Sequence, residues 1–518
     1  MLMNKILKII RICLSFIFIV LFMLVFLGGD SIPHVISDGV LYLQFIPSLI
    51  SFFMAAGGMA VAGFIVVMII TLVAGRLYCG FLCPLGILQD GCVFISKKVL
   101  KKRNRYEKAH PAIQYPVLGI TVLAALSGSF VLVNLLDPYS LFGKIMIELI
   151  KPGFDMLGNA IAGLLERCDI YAFSVTLISP PNIPSLVTIT LLFIALLILS
   201  IVKARMYCTT ICPVGTLLGL VSRFSLFSIR IDRERCTACG ICERICRAEC
   251  INSMEKEVDN SRCVRCFDCL TVCPHDAISY RFALKDKVKV LQPDPARRQF
   301  IFGTAATIAA FGLGFPLRGI TKPLLTGKEG YPSTPPGSRG VDHFTSACTA
   351  CHLCVSSCPT GVIQPGFLEY GLAGFMHPHM DYRQGFCLYE CHLCGDICPT
   401  GAILPLGAEE KKRTKIGEVQ FFEEKCIVTT EKQNCGACAE HCPTHAVDTY
   451  PKDGLFMPYT EPLLCIGCGA CENVCPALPE KAIIVNPLRV HDWAEILSDG
   501  ERDRGPVIIE DARDDFPF

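Results

Sequence analysis

Cysteine spacing constrains this chain more than any other feature. Six runs of four cysteines follow the pattern Cys-x2-Cys-x2-Cys-x3-Cys, or a version with a longer first interval, and five of the six are followed directly by proline. Such a run brings soft thiolates together from one short loop, which is what a 4Fe-4S cluster requires. In two-cluster units the first three cysteines serve one cluster and the fourth serves its neighbour. The proline gives the loop a sharp exit, because it has no backbone N–H to donate. Disulfide scaffolds rich in cysteine are small and secreted, whereas this chain has 518 residues and 32 cysteines at metal-ligand spacing. Zinc is the other ligand-run reading, and repeated Cys-Pro endings at ferredoxin spacing argue against it.

Two runs lie together: Cys236, Cys239, Cys242, Cys246 and Cys263, Cys266, Cys269, Cys273. By the exchange rule Cys273 completes the first cluster and Cys246 the second. Arg247 stands where proline is usual, and Cys250 is a competing fourth ligand. The x3 spacing favours Cys246 and leaves Cys250 as a small buried residue. Four further runs come later in the chain: Cys348, Cys351, Cys354, Cys358; Cys387, Cys391, Cys394, Cys398; Cys426, Cys435, Cys438, Cys442; and Cys465, Cys468, Cys471, Cys475. They can pair first with second and third with fourth, or nest as first with fourth and second with third. Six 4Fe-4S clusters are expected either way. His275, His352, His392, His441 and His445 lie near complete runs and are read as outer neighbours of the ligands or as surface residues.

The remainder is strongly apolar. Four runs, from Ile12 to Gly28, Leu49 to Ala74, Tyr115 to Leu136 and Pro184 to Val202, are each near the ~20 residues of a membrane helix. The first is expected to be retained rather than cleaved, since no small-residue cleavage site comes after it. Lys5, Lys8 and Arg11, and the basic residues from Lys97 to Arg105, place both flanking segments in the cytoplasm. A net charge of +1 offers no case for nucleic-acid binding. Arg297-Arg298-Gln299-Phe300-Ile301 and the apolar stretch to Leu317 look like a twin-arginine export signal in mid-chain, or a fifth helix; either sends the C-terminal part of the chain outward.

Cysteines outside the runs form an internal repeat. Arg76-x-Tyr78-Cys79-x3-Cys83-Pro84-x-Gly86-x-Leu88 recurs as Arg205-x-Tyr207-Cys208-x3-Cys212-Pro213-x-Gly215-x-Leu217. Both copies come directly after an apolar run that ends on the cytoplasmic side. Together Cys79, Cys83, Cys208 and Cys212 are read as an extra redox site, either iron-sulfur or thiol, or as buried structural cysteines. Reducing conditions on that side argue against permanent disulfides.

The four apolar runs, the two Tyr-Cys-x3-Cys-Pro repeats and the adjoining ferredoxin pair resemble NapH, the membrane component of a quinol dehydrogenase. The twin-arginine stretch and four later runs are similar to NapG, its exported ferredoxin partner. The resemblance suggests a fusion of the two, located in a bacterial inner membrane. It implies quinol oxidation in the membrane and electron flow through the clusters to a periplasmic reductase or cytochrome. Relatives implicated in metalloenzyme assembly leave a second expectation, an electron-supplying maintenance factor. Candidate quinone-site residues are Asp137 and Tyr139 on the outer side and Gln89 and Asp90 on the inner side, although Asp137-Pro138-Tyr139 is equally a turn signal. No nucleotide-binding glycine loop is evident, which argues against NADH as donor.

The expected architecture is an α-helical transmembrane domain of four helices plus a fifth, with α+β ferredoxin-like domains on both sides. Residues 1–223 form the membrane domain, 224–290 a cytoplasmic two-cluster domain, 291–340 the fifth helix and a proline-rich linker, 341–490 a periplasmic four-cluster domain, and 491–518 an acidic tail.

Overall fold

The computed structural model describes residues 2–28, 34–54, 62–99, 104–169, 178, 180–282 and 331–495. The twin-arginine stretch from Arg297 to Leu317, the linker up to residue 330 and the tail from 496 lie outside the described residues.

Helix α1, Leu2–Leu27, is unbroken and faces outward through Ile9, Phe16, Ile17 and Leu24. The next apolar run is divided. Helices α2, His34–Tyr42, and α3, Phe45–Phe53, precede α4, Gly63–Ala74, which stops at Gly75 in a left-handed conformation (φ 84°). A short α5, Tyr78–Phe81, leads into α6, Pro84–Val99. The third run is also broken, at Ser127 and Gly128 (φ 84°), between α7, Pro111–Leu126, and α8, Val131–Leu136. Asp137 then caps α9, Pro138–Lys144, its carboxylate accepting from Ser140 N and Oγ at 2.8 Å each. A π-helical turn, Ile145–Ile150, continues into α10, Lys151–Glu166. Helix α11, Ile183–Lys203, is the second long apolar helix, and a π turn, Tyr207–Ile211, connects it to α12, Pro213–Ser222.

Among the described residues, two helices, α1 and α11, are long and apolar enough to cross a membrane by length and composition. The expected spans over the second and third apolar runs are instead pairs of shorter helices. In the second run α3 ends at Phe53 and α4 begins at Gly63; in the third, Gly128 in a left-handed conformation divides α7 from α8, and the Asp137-capped turn follows α8. The core is continuous. Phe22 and Phe26 of α1 pack edge-on or tilted against Tyr139 and Phe142, with ring centroids 5.8–6.5 Å apart. Each such pair adds about 0.5–1.5 kcal/mol beyond simple burial.

The first ferredoxin region pairs β1, Phe227–Ile231, with β4, Ile278–Phe282, antiparallel, around a hairpin of β2, Ile251–Asn252, and β3, Glu257–Val258. Two short helices, α13, Ile241–Ile245, and α14, Asp268–Val272, begin within its cysteine runs. This region sits against the first third of α1: Lys8 pairs with Asp268 at 3.0 Å, and Asn4 Nδ2 donates to Leu270 O at 3.4 Å.

The second cysteine-rich region has three antiparallel pairs: β5, Ile363–Gln364, with β6, His379–Met380; β7, Thr414–Phe421, with β10, Ile483–Trp493; and β8, Val447–Lys452, with β9, Leu455–Thr460. Residues 331–340, expected as linker, are part of this region. Ser333 and Gly337 carbonyls accept from Met380 N and Leu404 N, each at 3.0 Å. The region rests on the other end of α1, because α9 offers a gap at Gly143 where any Cβ would collide with the Cys351 carbonyl and the Phe26 ring.

Candidate functional site

The repeat builds a pseudo-symmetric site. In each copy the second cysteine directly precedes a helix whose first residue is proline, Pro84 of α6 or Pro213 of α12. Proline suits that position because its missing N–H would have no partner there. Cys212 is the cap of α12 and its Sγ accepts from Gly215 N at 3.3 Å. A helix N-terminus favours a thiolate. The glycine of each copy has a steric cause: a Cβ on Gly86 would press on the Cys79 carbonyl, and one on Gly215 on the Cys208 carbonyl.

The arginines are exchanged between copies. Arg76 donates to Cys208 O at 2.9 Å, and Arg205 donates to Cys79 O at 2.6 Å. Arg76 also reaches Ser261 O at 2.9 Å, and its Nη2 lies 3.7 Å from Cys79 Sγ. Both guanidiniums are 1 % exposed. All four thiols are buried in one core, where Arg76 Nη2 spans Cys79 Sγ and the Cys208 carbonyl. Gln89 accepts from Cys208 Sγ at 2.8 Å.

The thiols of each of the six runs also gather, and the fourth cysteine of each lies with the first three of its partner run, the arrangement the exchange rule expects. Cys242 has Cys236, Cys239 and Cys273 around it, while Cys269 has Cys266, Cys263 and Cys246. Cys354 gathers with Cys348, Cys351 and Cys398; Cys394 with Cys387, Cys391 and Cys358. Cys471 joins Cys468, Cys465 and Cys442; Cys438 joins Cys435, Cys426 and Cys475. Of the two pairings open from sequence, the structure adopts first with second and third with fourth. Cys250 is 1 % exposed and sits 3.7 Å from Cys246 Sγ, so it packs directly on the ligand that the spacing favours.

These groups fit iron-sulfur clusters better than single metal ions. All 32 cysteines are free thiols. Among the described residues, no three His, Cys, Asp or Glu side chains close to the spacing of one metal ion. Cluster ligands stand further apart because they bind different corners. Burial pushes the Cys438 and Cys468 thiols each up to about 12, so iron charge would be needed to hold them as thiolates.

Fixed charge points the same way. Asp90 is buried against Arg11, Arg205 Nε (2.7 Å) and Arg247 Nη1 (2.9 Å), and Asp268 holds Arg247 Nε (2.6 Å) and Lys8. Four cations thus share two carboxylates, a positive surplus suited to anionic thiolate-ligated clusters. Arg247 replaces the usual proline because it ties the first ferredoxin region to α6.

Three of the four candidate quinone residues have partners inside the protein. Asp90 is an ion-pair hub, Gln89 faces a thiol, and Asp137 caps α9. Sequence separates Asp137 and Tyr139 from the repeat, yet the structure packs them in one core. Tyr207 Oη donates to Leu136 O at 2.9 Å, and Tyr139 shares one buried core with Cys208 and Cys212. Tyr139, fully buried, has its hydroxyl beside the Cys351 thiol. His352, read as an outer neighbour or surface residue, is fully buried, with Nε2 2.9 Å from Met376 O and Nδ1 3.2 Å from Glu148 Oε1. Glu148 was missed from sequence; an acid between apolar residues of Ile145–Ile150 was its only signal.

Comparison with known proteins agrees on the cofactor. A family described as "4Fe-4S binding domain" matches residues 56–103 and again 186–233, one copy over each repeat. Families described as "4Fe-4S dicluster domain" match 347–403 and 425–479, and two further "4Fe-4S binding domain" families match 233–249 and 256–278. An uncharacterized protein of Methanocaldococcus jannaschii is 27% identical over 188 residues, 35% of this chain and 55% of that protein. The ferredoxin-type protein NapF of Escherichia coli K12 is 27% identical over 158 residues, 30% of this chain and 86% of NapF. The ferredoxin-type protein NapG of the same strain is 29% identical over 209 residues, 38% of this chain and 88% of NapG. The chain thus spans about half the length of the archaeal relative. It is a polyferredoxin with multiple 4Fe-4S domains, distantly related to these ferredoxin-type proteins, and an iron-sulfur electron-transfer protein.

Proposed function

We propose that this chain is the membrane-spanning part of a quinol dehydrogenase, passing electrons from quinol through 4Fe-4S clusters to an acceptor on the outer side, with seven cluster sites joined in one line. The observation that carries the reading is the position of the four repeat thiols between the two ferredoxin regions. Helix α1 measures it. Lys8 touches the first region, Ser15 Oγ donates to Gly80 O at 3.0 Å beside Cys79, and Phe26 lies where Cys351 docks. At 1.5 Å per residue, Lys8 and Phe26 are about 27 Å apart, and Ser15 divides that span into about 10 and 17 Å. Tunnelling falls steeply with distance, so an intermediate site converts one long gap into two short ones.

The rest of the line is continuous. A Cβ on Gly80 would collide with the Val264 carbonyl, between Cys263 and Cys266, so the first region approaches the repeat closely. Beyond Cys351, Cys387 N donates to Cys468 O at 2.9 Å, linking the first pair of C-terminal groups to the second. When bound, the clusters supply one-electron uptake and release. This chain's residues hold them, exclude water and compensate their charge.

The basic residues at the start of α1 support a cytoplasmic first region, and the opposite end of α1 supports an outer location for the second. A second reading has one observation in its favour: Cys239 is exposed at the far end of the line, where a cytoplasmic donor could deliver electrons for maintaining a partner metalloenzyme. Loss of the gene would then leave a partner lacking its metal, rather than an intact partner short of electrons.

Purified chain in lipid nanodiscs should contain about 28 iron atoms, four for each of seven sites, and the Cys79→Ser plus Cys208→Ser variant about 24. Added quinol should reduce the clusters of the wild type. In the variant the first region should stay oxidised while the second is still reduced. Clusters that remain oxidised with every quinol would defeat the dehydrogenase reading, and unchanged iron in the variant would make the repeat structural.

A further inference from the structure

A cavity of about 580 Å³ opens where the end of α1, the π turn and the start of α11 meet the second cysteine-rich region. Its volume lies within the range of small-molecule sites. Leu27 and Leu186 line it from the two long apolar helices, and Cys358, Pro359 and Ser357 line it from the first C-terminal run. Outside this mouth the two helices expose apolar residues such as Leu24, Val187 and Leu191. One side of the cavity is therefore continuous with an apolar outer surface, and the other side carries a cysteine of the cluster line.

Glu148 lines the same space with a side chain only 5 % exposed. Its Oε2 accepts from Ser185 Oγ at 2.8 Å. Its Oε1 has no hydrogen bond; His352 Nδ1 lies 3.2 Å away, an ion-pair partner only when that ring is protonated. A buried carboxylate oxygen that receives no hydrogen bond is costly unless a ligand completes it. Lys144 is a charged neighbour of Glu148, and Lys151 and Asp155 also line the cavity.

We propose that this cavity binds the ring of an isoprenoid quinol and that Glu148 accepts one of its protons. The inference rests on the quinol reading above and supplies its site. Both quinol O–H bonds break and the ring becomes the quinone. Two electrons leave one at a time, with 4Fe-4S clusters as the oxidant, and the first to receive them would be the cluster that Cys358, Cys387, Cys391 and Cys394 would hold. One proton passes to Glu148 and the other to water at the open rim. The isoprenoid tail leaves between Leu27 and Leu186. The cavity meets the cluster line in its outer half, so electrons entering there reach the C-terminal clusters without crossing the repeat. None of Asp137, Tyr139, Gln89 and Asp90 lines this cavity.

The test uses the full chain with its clusters in nanodiscs. The fluorescent quinol analogue 2-heptyl-4-hydroxyquinoline N-oxide measures binding, and reduced short-chain naphthoquinone and benzoquinone drive cluster reduction. Leu186→Trp should fill the mouth and weaken analogue binding about ten-fold or more, about 1.4 kcal/mol, whereas Val187→Trp on the exposed face of the same helix should not. Glu148→Gln should slow quinol-driven reduction by about 100-fold while leaving iron content and dithionite reduction unchanged. Wild-type clusters that no quinol reduces would overturn the dehydrogenase reading and this site with it. Wild-type reduction by quinol, with Leu186→Trp and Glu148→Gln equally fast and equally well bound, would overturn this site alone.

Discussion

Replacing Asp90 with asparagine tests whether the charge hub beside the repeat holds the first ferredoxin region to the helices. Asp90 is 6 % exposed and meets three guanidiniums, those of Arg11, Arg205 and Arg247, contributed by α1, the second repeat and the first ferredoxin region. Asparagine keeps the shape but removes the charge, leaving buried cations without their partner. Removing one member of a buried ion pair costs about 3–5 kcal/mol, and three partners put this site in the upper half of that range. For a unit of 150–250 residues each kcal/mol lowers the midpoint by about 2–4 °C, so a fall of about 10 °C or more is expected. Large chains of several domains commonly unfold irreversibly, so wild type and variant must be heated at one scan rate in the same nanodiscs. Adding Arg11→Gln to Asp90→Asn should recover part of the loss, because one uncompensated cation disappears, with a coupling of about 0.5–3 kcal/mol. A midpoint within about 2 °C of wild type for Asp90→Asn would refute the reasoning, since the hub would then be solvated or dispensable.

Other sites carry three further expectations. Gly215→Ala and Gly86→Ala should each destabilise by about 1–3 kcal/mol through overpacking, because the new methyl meets a cysteine carbonyl and the exchanged arginine, whereas Gly158→Ala on α10 has nothing within 4 Å and should be neutral or stabilising by thermal melting. Cys246→Ser should lower the iron count by about four, the content of one cluster, while Cys250→Ala should retain it; the opposite result would make Cys250 the ligand. Burial lowers the pKa of His491 to about 4, and its Nε2 sits 2.8 Å from Thr334 Oγ1. The unfolded state takes up a proton near pH 6.5 and the folded state only near 4, so stability is complete above 6.5 and falls as pH drops towards 4. The loss is at most about 3 kcal/mol, and His491→Gln should flatten that part of the pH profile of denaturant unfolding.

The ligand runs were legible because iron-sulfur chemistry fixes local spacing. Four thiols from one loop and a neighbour's fourth position leave a linear trace in the chain, and even the longer first intervals at Cys387 and Cys426 did not hide it. Pairing among the four later runs was not legible, since both arrangements satisfy the same local pattern; only the three-dimensional neighbours of Cys398 and Cys475 distinguish them. Hydropathy located the apolar segments but not their path. A window of twenty residues averages over Gly75 and Gly128, whose left-handed conformations end one helix and divide another. It therefore reported single spans where, among the described residues, the chain makes pairs of shorter helices. Arg247 looked like a departure from the ferredoxin pattern. Its meaning emerged only with Asp90 and Asp268, two carboxylates far from it in sequence.

The repeat shows how far covariation within one sequence can be read. Arginine, cysteine, proline and glycine recur together, and each has a separate cause in the folded chain: proline starts a helix, glycine clears a carbonyl, and arginine reaches across to the other copy. The last of these makes the two copies dependent on each other. Neither arginine can donate to its target carbonyl unless the other copy is in place, so the four thiols assemble only when both halves have folded together. The same arginines connect the site to its surroundings, Arg76 through Ser261 to the first ferredoxin region and Arg205 through Asp90 to α1. On the proposed function this arrangement matters, because a site joining the two regions cannot form while the regions on which it depends are misplaced.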